Sequence, residues 1–236
     1  MKVDYLTNLF KEVYLRDICE RNKIKHETDL ETLIDILASS IGSLTNPSKL
    51  QRSFKSGRNN TITDKTIKTY IDYLEESFLL ESAHRYDVKG KNYIETPLKY
   101  YFVDVGLRNA RLNFRQQEEN NIMENVIYNE LKVRGFSVDV GIVETTETGA
   151  DCKRRQKRLE VDFIARKGNA VTYIQSVYAM EKDQKVEQEK RSLQKIPDFF
   201  NKLIVVYGDI KAKRDEQGIV TMGLFDFLLN PDSLSM

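Results

Sequence analysis

Apolar positions recur every three or four residues in the first part of this chain and mostly alternate in the second. Asp4–Arg21 carries Leu6, Leu9, Phe10, Val13, Tyr14 and Ile18 on one stripe, which predicts an amphipathic helix. Thr28-Asp29-Leu30-Glu31 reads as a capping box with Thr28 as the cap. The helix it opens buries Leu30, Leu33, Ile34, Leu37 and Ile41 and stops at Gly42. Asn46-Pro47 starts a short helix with Leu50 and Phe54 inward. Thr63 caps a third helix whose inward residues are Ile67, Tyr70, Ile71, Leu74 and Phe78. Leu79–Asp87 and Tyr100–Val103 are strand-like, with the basic turn Val88–Asn92 between them.

The order helix, helix, helix, hairpin is that of a winged helix-turn-helix module. Thr63–Phe78 is then the recognition helix and Lys89–Thr96 the wing. Arg108–Gln117 reads as a connector, and after Asn113 the periodicity changes. A helix runs from Glu118 to about Arg134, closed by Gly135, and Phe136–Val143 alternates like a strand. Residues 144–157 are polar. Leu159–Ala165 and Val171–Tyr178 form a hairpin about the turn Arg166–Asn169. If Ala165 opposes Ala170, then Glu160, Asp162, Tyr173, Gln175 and Val177 share one sheet face. A charged helix follows over Lys182–Lys195, with Val186, Leu193 and Ile196 inward. Leu203–Tyr207 is a strand covered on both faces, Ile219–Met222 adds another, and Leu224–Leu229 a last helical turn.

Composition narrows the reading only a little. The chain has 236 residues, 40% hydrophobic and 31% charged, room for one large or two small domains. No apolar run approaches a membrane span and Met1–Phe10 lacks a signal-peptide pattern, so a cytoplasmic protein without a membrane partner is expected. Cys19 and Cys152 form no disulfide framework, and His26 and His84 lack ligand-like spacing. A net charge of +1 gives no global reason to bind nucleic acid, so that case rests on local patches. Candidates to contact DNA are Lys65 and Lys68 on the recognition helix, interleaved with Asp64 and Asp72, and Lys89 and Lys91 on the wing. Lys55 and Arg58 add charge, and Lys153, Arg154 and Arg155 open the basic run to Arg158.

The order α-β-β-β-α-β, with Asp162 early in the second strand, resembles the PD-(D/E)XK nuclease superfamily. There an acid on the second strand and Glu-x-Lys on the third hold Mg²⁺ and position a water, often with a further glutamate from the first helix. Asp162 matches the acid, but Gln175-Ser176-Val177 occupies the Glu-x-Lys position without its charge or its lysine. Glu130, in the middle of the helical stripe Met123, Val126, Ile127 and Leu131, and Glu124 at its edge are the two candidates for the helix acid. A metal would fall to Asp162 and Glu130, with Mg²⁺ the candidate cofactor. The resemblance therefore implies a vestigial site formed by Glu124, Glu130, Asp162 and Gln175, and no efficient phosphodiester cleavage unless a lysine such as Lys190 has migrated into it.

The segments YLTNLFKEVYLRDI, TDKTIKTYIDYLEESFLL, MENVIYNELKVRGFSVDVG, LEVDFIA and YIQSVYAM resemble the C-terminal half of a prokaryotic family of predicted AAA+-type ATPases ending in a domain of unknown function. The resemblance implies an α/β chain, α+β overall: an N-terminal helical winged helix-turn-helix domain followed by a restriction-endonuclease-like mixed-sheet domain. Its parts are an N-terminal helix over 1–26, the winged helix over 27–113 and the nuclease-like domain over 114–236. No GxxxxGK[ST] occurs in this chain, so ATP has no site here and an ATPase domain enters as a partner. A non-catalytic nucleic-acid-binding or regulatory module is the leading expectation; a Mg²⁺-dependent nuclease and a protein-interaction scaffold are the alternatives.

Overall fold

The computed structural model describes residues 2–58, 62–115, 118–148, 154–178 and 189–234. By contact the chain divides into two compact units, Met1–Ala83 with Thr96–Asn125 and His84–Glu95 with Val126–Met236. The expected boundary at 113/114 falls in the segment ahead of helix α7, Glu119–Val133, whereas the division runs through that helix. The fold is α+β, with helices grouped in the N-terminal part and an eight-stranded mixed sheet after them.

The first unit begins with α1 (Lys2–Asn8), a π-helical segment (Leu9–Leu15) and α2 (Arg16–Arg21). A π turn holds an extra residue, so the stripe expected of an uninterrupted α-helix slips. Val13, expected inward, is 53% exposed, and Leu15 and Cys19 are buried beside Phe10 and Ile18. Helix α3 (Glu27–Ser39) starts one residue before the expected cap: His26 takes the cap position and Thr28 lies inside the helix. Its buried face is Leu30, Leu33, Ile34, Leu37 and the unexpected Ala38, while Ile41, expected on the same stripe, is buried beyond the helix, which ends at Ser39 rather than at Gly42. Helices α4 (Pro47–Arg58) and α5 (Asp64–Glu76) follow, the second capped by Thr63, whose hydroxyl accepts from the Thr66 amide at 3.1 Å. Phe78, expected inward, has left the helix at φ +55° and is 74% exposed; Leu79 and Leu80 are buried in its place. Strands β1 (Leu80–Asp87) and β2 (Asn92–Phe102) form a long hairpin. The first residues of the expected connector belong to α6 (Val105–Arg111), capped by Asp104 through the Leu107 amide at 3.0 Å. Its Arg108 is fully buried, donating to the Ala38 carbonyl at 2.8 Å, and Arg111 bonds both oxygens of Asp35, at 2.5 and 3.0 Å.

In the second unit β3 (Ser137–Thr148), β4 (Arg154–Lys167) and β5 (Ala170–Val177) form an antiparallel run. β6 (Asn201–Val206) and β8 (Val220–Gly223) add parallel to it, and β7 (Lys213–Arg214) is a short antiparallel edge. The sheet order is β2-β1-β3-β4-β5-β6-β8-β7, with the outer half of β1 parallel to β3 from Arg85↔Val140 to Asp87↔Ile142. Part of the expected polar segment 144–157 is therefore strand, since Thr145 pairs with Lys157 and Thr146 with Gln156. Helix α8 is described over residues 189–194, and α9 spans Leu224–Leu229. The start of the expected helix at Lys182, with Val186, lies outside the described residues.

Two details of the central hairpin differ from expectation. Ala165 opposes Thr172 and Lys167 opposes Ala170, so the turn is only Gly168-Asn169, with Gly168 at φ +58°. The register is two residues from the expected one; an even slip keeps each residue on its face. The larger change comes from β3. Gly141 faces Val161 but Asp139 faces Ile164, so Asp162 and Phe163 stand together opposite Val140. This bulge inverts the alternation of β4. Val161 and Ile164 both enter one core with Tyr173, Val177, Leu193 and Ile204. Glu160, next to Val161, is thereby on the opposite face from Tyr173 and Val177, contrary to the shared face expected for it.

Candidate functional site

Asp162 sits at the bulge, where the paired residues of β4 and β5 end at Phe163↔Ile174. Side chains continue the connection. The Asp162 Oδ2 accepts from the Ser176 amide at 2.7 Å and from the Ser176 hydroxyl at 2.9 Å. The Asp162 amide donates to Gln175 Oε1 at 3.2 Å, and Gln175 Nε2 donates to Glu189 Oε2 on α8 at 2.6 Å. Asp162 is 8% exposed and Gln175 4%, so these bonds replace water that neither group can reach well. The bulge explains the need for them: it leaves backbone amides without strand partners, and a carboxylate and an amide side chain supply acceptors. Sequence reasoning found Asp162 and Gln175 but not Ser176 or Glu189. Ser176 was legible as the hydroxyl next to Gln175; Glu189 reaches the pair only through the packing of α8 on the sheet.

The two helix carboxylates change places relative to expectation. Glu130, read as the residue inside the apolar stripe, is half-buried and accepts from Arg134 Nε at 2.7 Å. Arg134 in turn donates to the Phe227 carbonyl at 2.6 Å and the Ser233 hydroxyl at 2.8 Å, fastening α7 to α9. Glu124, read as the edge residue, is the more buried one, at 9% exposure. Its Oε1 accepts from Lys99 Nζ at 2.8 Å and from the Tyr101 hydroxyl at 2.5 Å. Gly42 lies against this carboxylate at φ +67°, where a Cβ would stand 3.3 Å from Oε1. The neighbouring Asn125 bonds both the amide and the carbonyl of Phe102, at 2.9 and 2.8 Å. Lys99 and Tyr101 were missed, though a lysine inside the run Leu98-Lys99-Tyr100-Tyr101-Phe102 signals a buried cation that needs a carboxylate.

The two residues expected to hold Mg²⁺ both have protein partners. Asp162 Oδ2 already takes two donors from Ser176, and Glu130 holds Arg134. Among the described residues no group of three or more His, Cys, Asp or Glu side chains is arranged to hold a metal ion. Lys190, the expected migrated lysine, lies 3.5 Å from Asp215 in an ion pair.

Cations assigned to nucleic acid fall in three places. Lys65 and Lys68 are exposed on α5, while Asp64 is drawn aside by Ser48 Oγ at 2.7 Å. Lys91 is exposed at the hairpin turn, but Lys89 Nζ donates to the Glu144 carbonyl at 2.7 Å, tying that turn to β3. Arg154 and Arg155 are exposed at the start of β4; Lys153 lies outside the described residues. Cys19 is buried, which pushes its thiol up to about 11, and Cys152 lies outside the described residues.

These features define an α+β protein with a helical unit, a mixed-sheet unit and a buried carboxylate hydrogen-bonded across a strand bulge. The chain belongs to the family described as Domain of unknown function (DUF8612), matched over residues 1–118. It is 33% identical over 229 residues to an uncharacterized protein of Haemophilus influenzae, covering 97% of this chain and 53% of that protein. It is also 24% identical over 213 residues to the uncharacterized protein MJ1544 of Methanocaldococcus jannaschii, covering 89% and 45%. The chain thus spans about half the length of the curated relatives it matches. The crystal structure of protein VC1899 from Vibrio cholerae aligns over 99% of this chain and 56% of its own, at 11% identity and a TM-score of 0.33. No helix among the described residues is long and apolar enough to cross a membrane.

Proposed function

We propose that this chain is a nucleic-acid-binding module of the winged-helix kind, joined to a nuclease-like unit that does not cut, and that it regulates an ATPase. The observation that carries the binding is the surface of α4. It exposes Lys49, Arg52 and Lys55 in a helix without a single carboxylate, and packs against α5 with its exposed Lys65 and Lys68. Five cations on two adjoining helices suit phosphates, which are contacted by charge without regard to sequence. The order α3, the Thr45–Leu98 bridge, α4, α5 and the hairpin supports the winged-helix assignment. Asp162, bonded twice to Ser176, supports a site kept for structure rather than for cleavage. The greater length of the relatives leaves room for an ATPase core such as the sequence resemblance implies.

Binding is tested by reversing Lys49, Arg52 and Lys55 together to Glu. Duplex DNA affinity should fall, and the slope of log affinity against log salt should shrink by roughly 0.9 for each phosphate no longer neutralised. Unchanged affinity would reject the reading in favour of a protein scaffold. Incubating single- and double-stranded DNA and RNA with Mg²⁺ or Mn²⁺ tests the inactive site. Cutting that vanishes in Asp162→Ala would instead establish a nuclease.

A further inference from the structure

Three elements of the first unit line a cavity of about 340 Å³: the π-helical segment through Phe10, Lys11 and Leu15, α3 through Glu31 and Asp35, and α6 through Ala110 and Arg111. Residues five apart share a face on a π-helix, whose hydrogen bonds run from i to i+5, and diverge on an α-helix. Phe10 and Leu15 are thereby buried together, with Lys11 exposed beside them. Insertions of this kind recur at functional sites. Ala110 is buried too, so part of the lining is apolar.

Arg111 orders the polar part. Its Nε and Nη2 bond the two oxygens of Asp35, and Nη2 also donates to Glu31 Oε2 at 3.1 Å and to the Glu31 carbonyl at 3.2 Å. The guanidinium carbon lies 5.7 Å from the centre of the Phe10 ring. These contacts commit Asp35 and hold the guanidinium in one orientation. Three groups of the lining are left without a hydrogen-bond partner among the described residues: Arg111 Nη1, Lys11 Nζ and Glu31 Oε1.

Two cations and two carboxylates cancel, so a polyanion is repelled by Glu31 and a simple cation by Lys11. Open donors on the cations and an open oxygen on Glu31 suit a molecule that carries both signs. The volume is near the lower end of the ~300–1,000 Å³ range of ligand pockets, which keeps that molecule small. We infer that the cavity binds a zwitterion of the α-amino-acid class, its carboxylate on Lys11 and Arg111, its ammonium on Glu31 and an apolar side chain against Phe10, Leu15 and Ala110. Neither this binding nor the nucleic-acid binding proposed above depends on the other.

Isothermal titration of the full chain tests the site, with L-leucine, L-methionine and L-phenylalanine as probes. At least one should bind at millimolar concentration, and the tightest is compared with its two truncated forms. For leucine these are 4-methylpentanoate, which lacks the ammonium, and 3-methylbutylamine, which lacks the carboxylate. Each truncated form should bind on the order of 10-fold or more weaker, the loss expected with a hydrogen bond between charged groups. Lys11→Met should weaken the amino acid by a similar factor and leave the amine unchanged. Glu31→Gln should weaken the amino acid and leave the carboxylate-only form unchanged. A purely structural role for either residue would instead weaken all three compounds alike, and that outcome overturns the assignment. Absence of binding by all three amino acids overturns the site outright, and so does equal wild-type affinity for the truncated forms; neither comparison needs a variant to fold. Amino-acid binding that both variants leave intact places it elsewhere and overturns the cavity as the site.

Discussion

Glu124 in the first unit and Asp162 in the second are both kept from water but held by different means, while Asp139, also buried in the second, pairs with Arg166. Glu124 in the first unit faces a full positive charge, Lys99, and a phenol, Tyr101. Asp162 in the second is bonded by the neutral amide and hydroxyl of Ser176. A buried ion pair is costly to assemble and costlier to halve, because the remaining charge is stranded in a poor dielectric. The described donors to Asp162 are neutral, and for these a neutral acceptor of the same shape can stand in.

Halving the ion pair is the strongest way to break the comparison. Lys99→Met should destabilise the chain by about 3–5 kcal/mol in urea unfolding, and adding Glu124→Gln should recover much of that stability. A change under about 1 kcal/mol for the single variant would mean that Glu124 is not stranded by it. At the other carboxylate, Asp162→Ala should cost roughly 1–3 kcal/mol by leaving the Ser176 amide without its acceptor. Asp162→Asn should retain most of the stability, and hydrogen exchange at Ser176 should quicken in the alanine variant only. If asparagine is as damaging as alanine, then the charge itself matters at Asp162 and the contrast with Glu124 fails.

A smaller effect tests whether the cap of α5, with no burial behind it, carries less than either carboxylate. Thr63→Ala should cost about 1 kcal/mol. Titration sharpens the picture of the first unit. Burial holds the Cys19 thiol up at about 11 and the Tyr100 phenol, beside Glu75 and Asp72, at about 12. Both are neutral in the folded state where the unfolded chain ionises, so their contribution is complete below the ordinary values of 9.0 and 10.0. It is lost as pH rises from there toward the folded values. Stability followed by denaturant titration should therefore decline above about pH 9, and Cys19 should resist a thiol reagent at pH 8 until the chain is unfolded. Rapid labelling of native Cys19 would place it at the surface.

Much of the helical part was legible in advance. Leu30, Leu33, Ile34 and Leu37 follow the helical repeat, Thr63 lies three residues before the amide it caps, and of the apolar run Leu203–Tyr207 all but Tyr207, which is 43% exposed, are buried as such a run suggests. The errors cluster where one residue more or less changes a phase. The π-helical segment at Leu9–Leu15 turned Val13 outward, and the two residues of β4 opposite Val140 sent Glu160 to the other side of the sheet. Neither insertion leaves a mark on composition, because the residues concerned suit either phase.

What the sequence determined by itself is what depends on neighbours within a turn or two: helix stripes, the Thr63 cap, strand alternation and the absence of a phosphate loop. Which carboxylate meets which partner was decided only in the folded chain. Lys99 and Glu124 are 25 residues apart, Asp162 and Ser176 are 14, and Arg111 reaches Asp35 across 76. At such separations residue type says only that a buried charge needs an answer. The register, the bulge and the packing of α8 choose the group that gives it, since a shift of one residue along a strand moves a side chain to the opposite face.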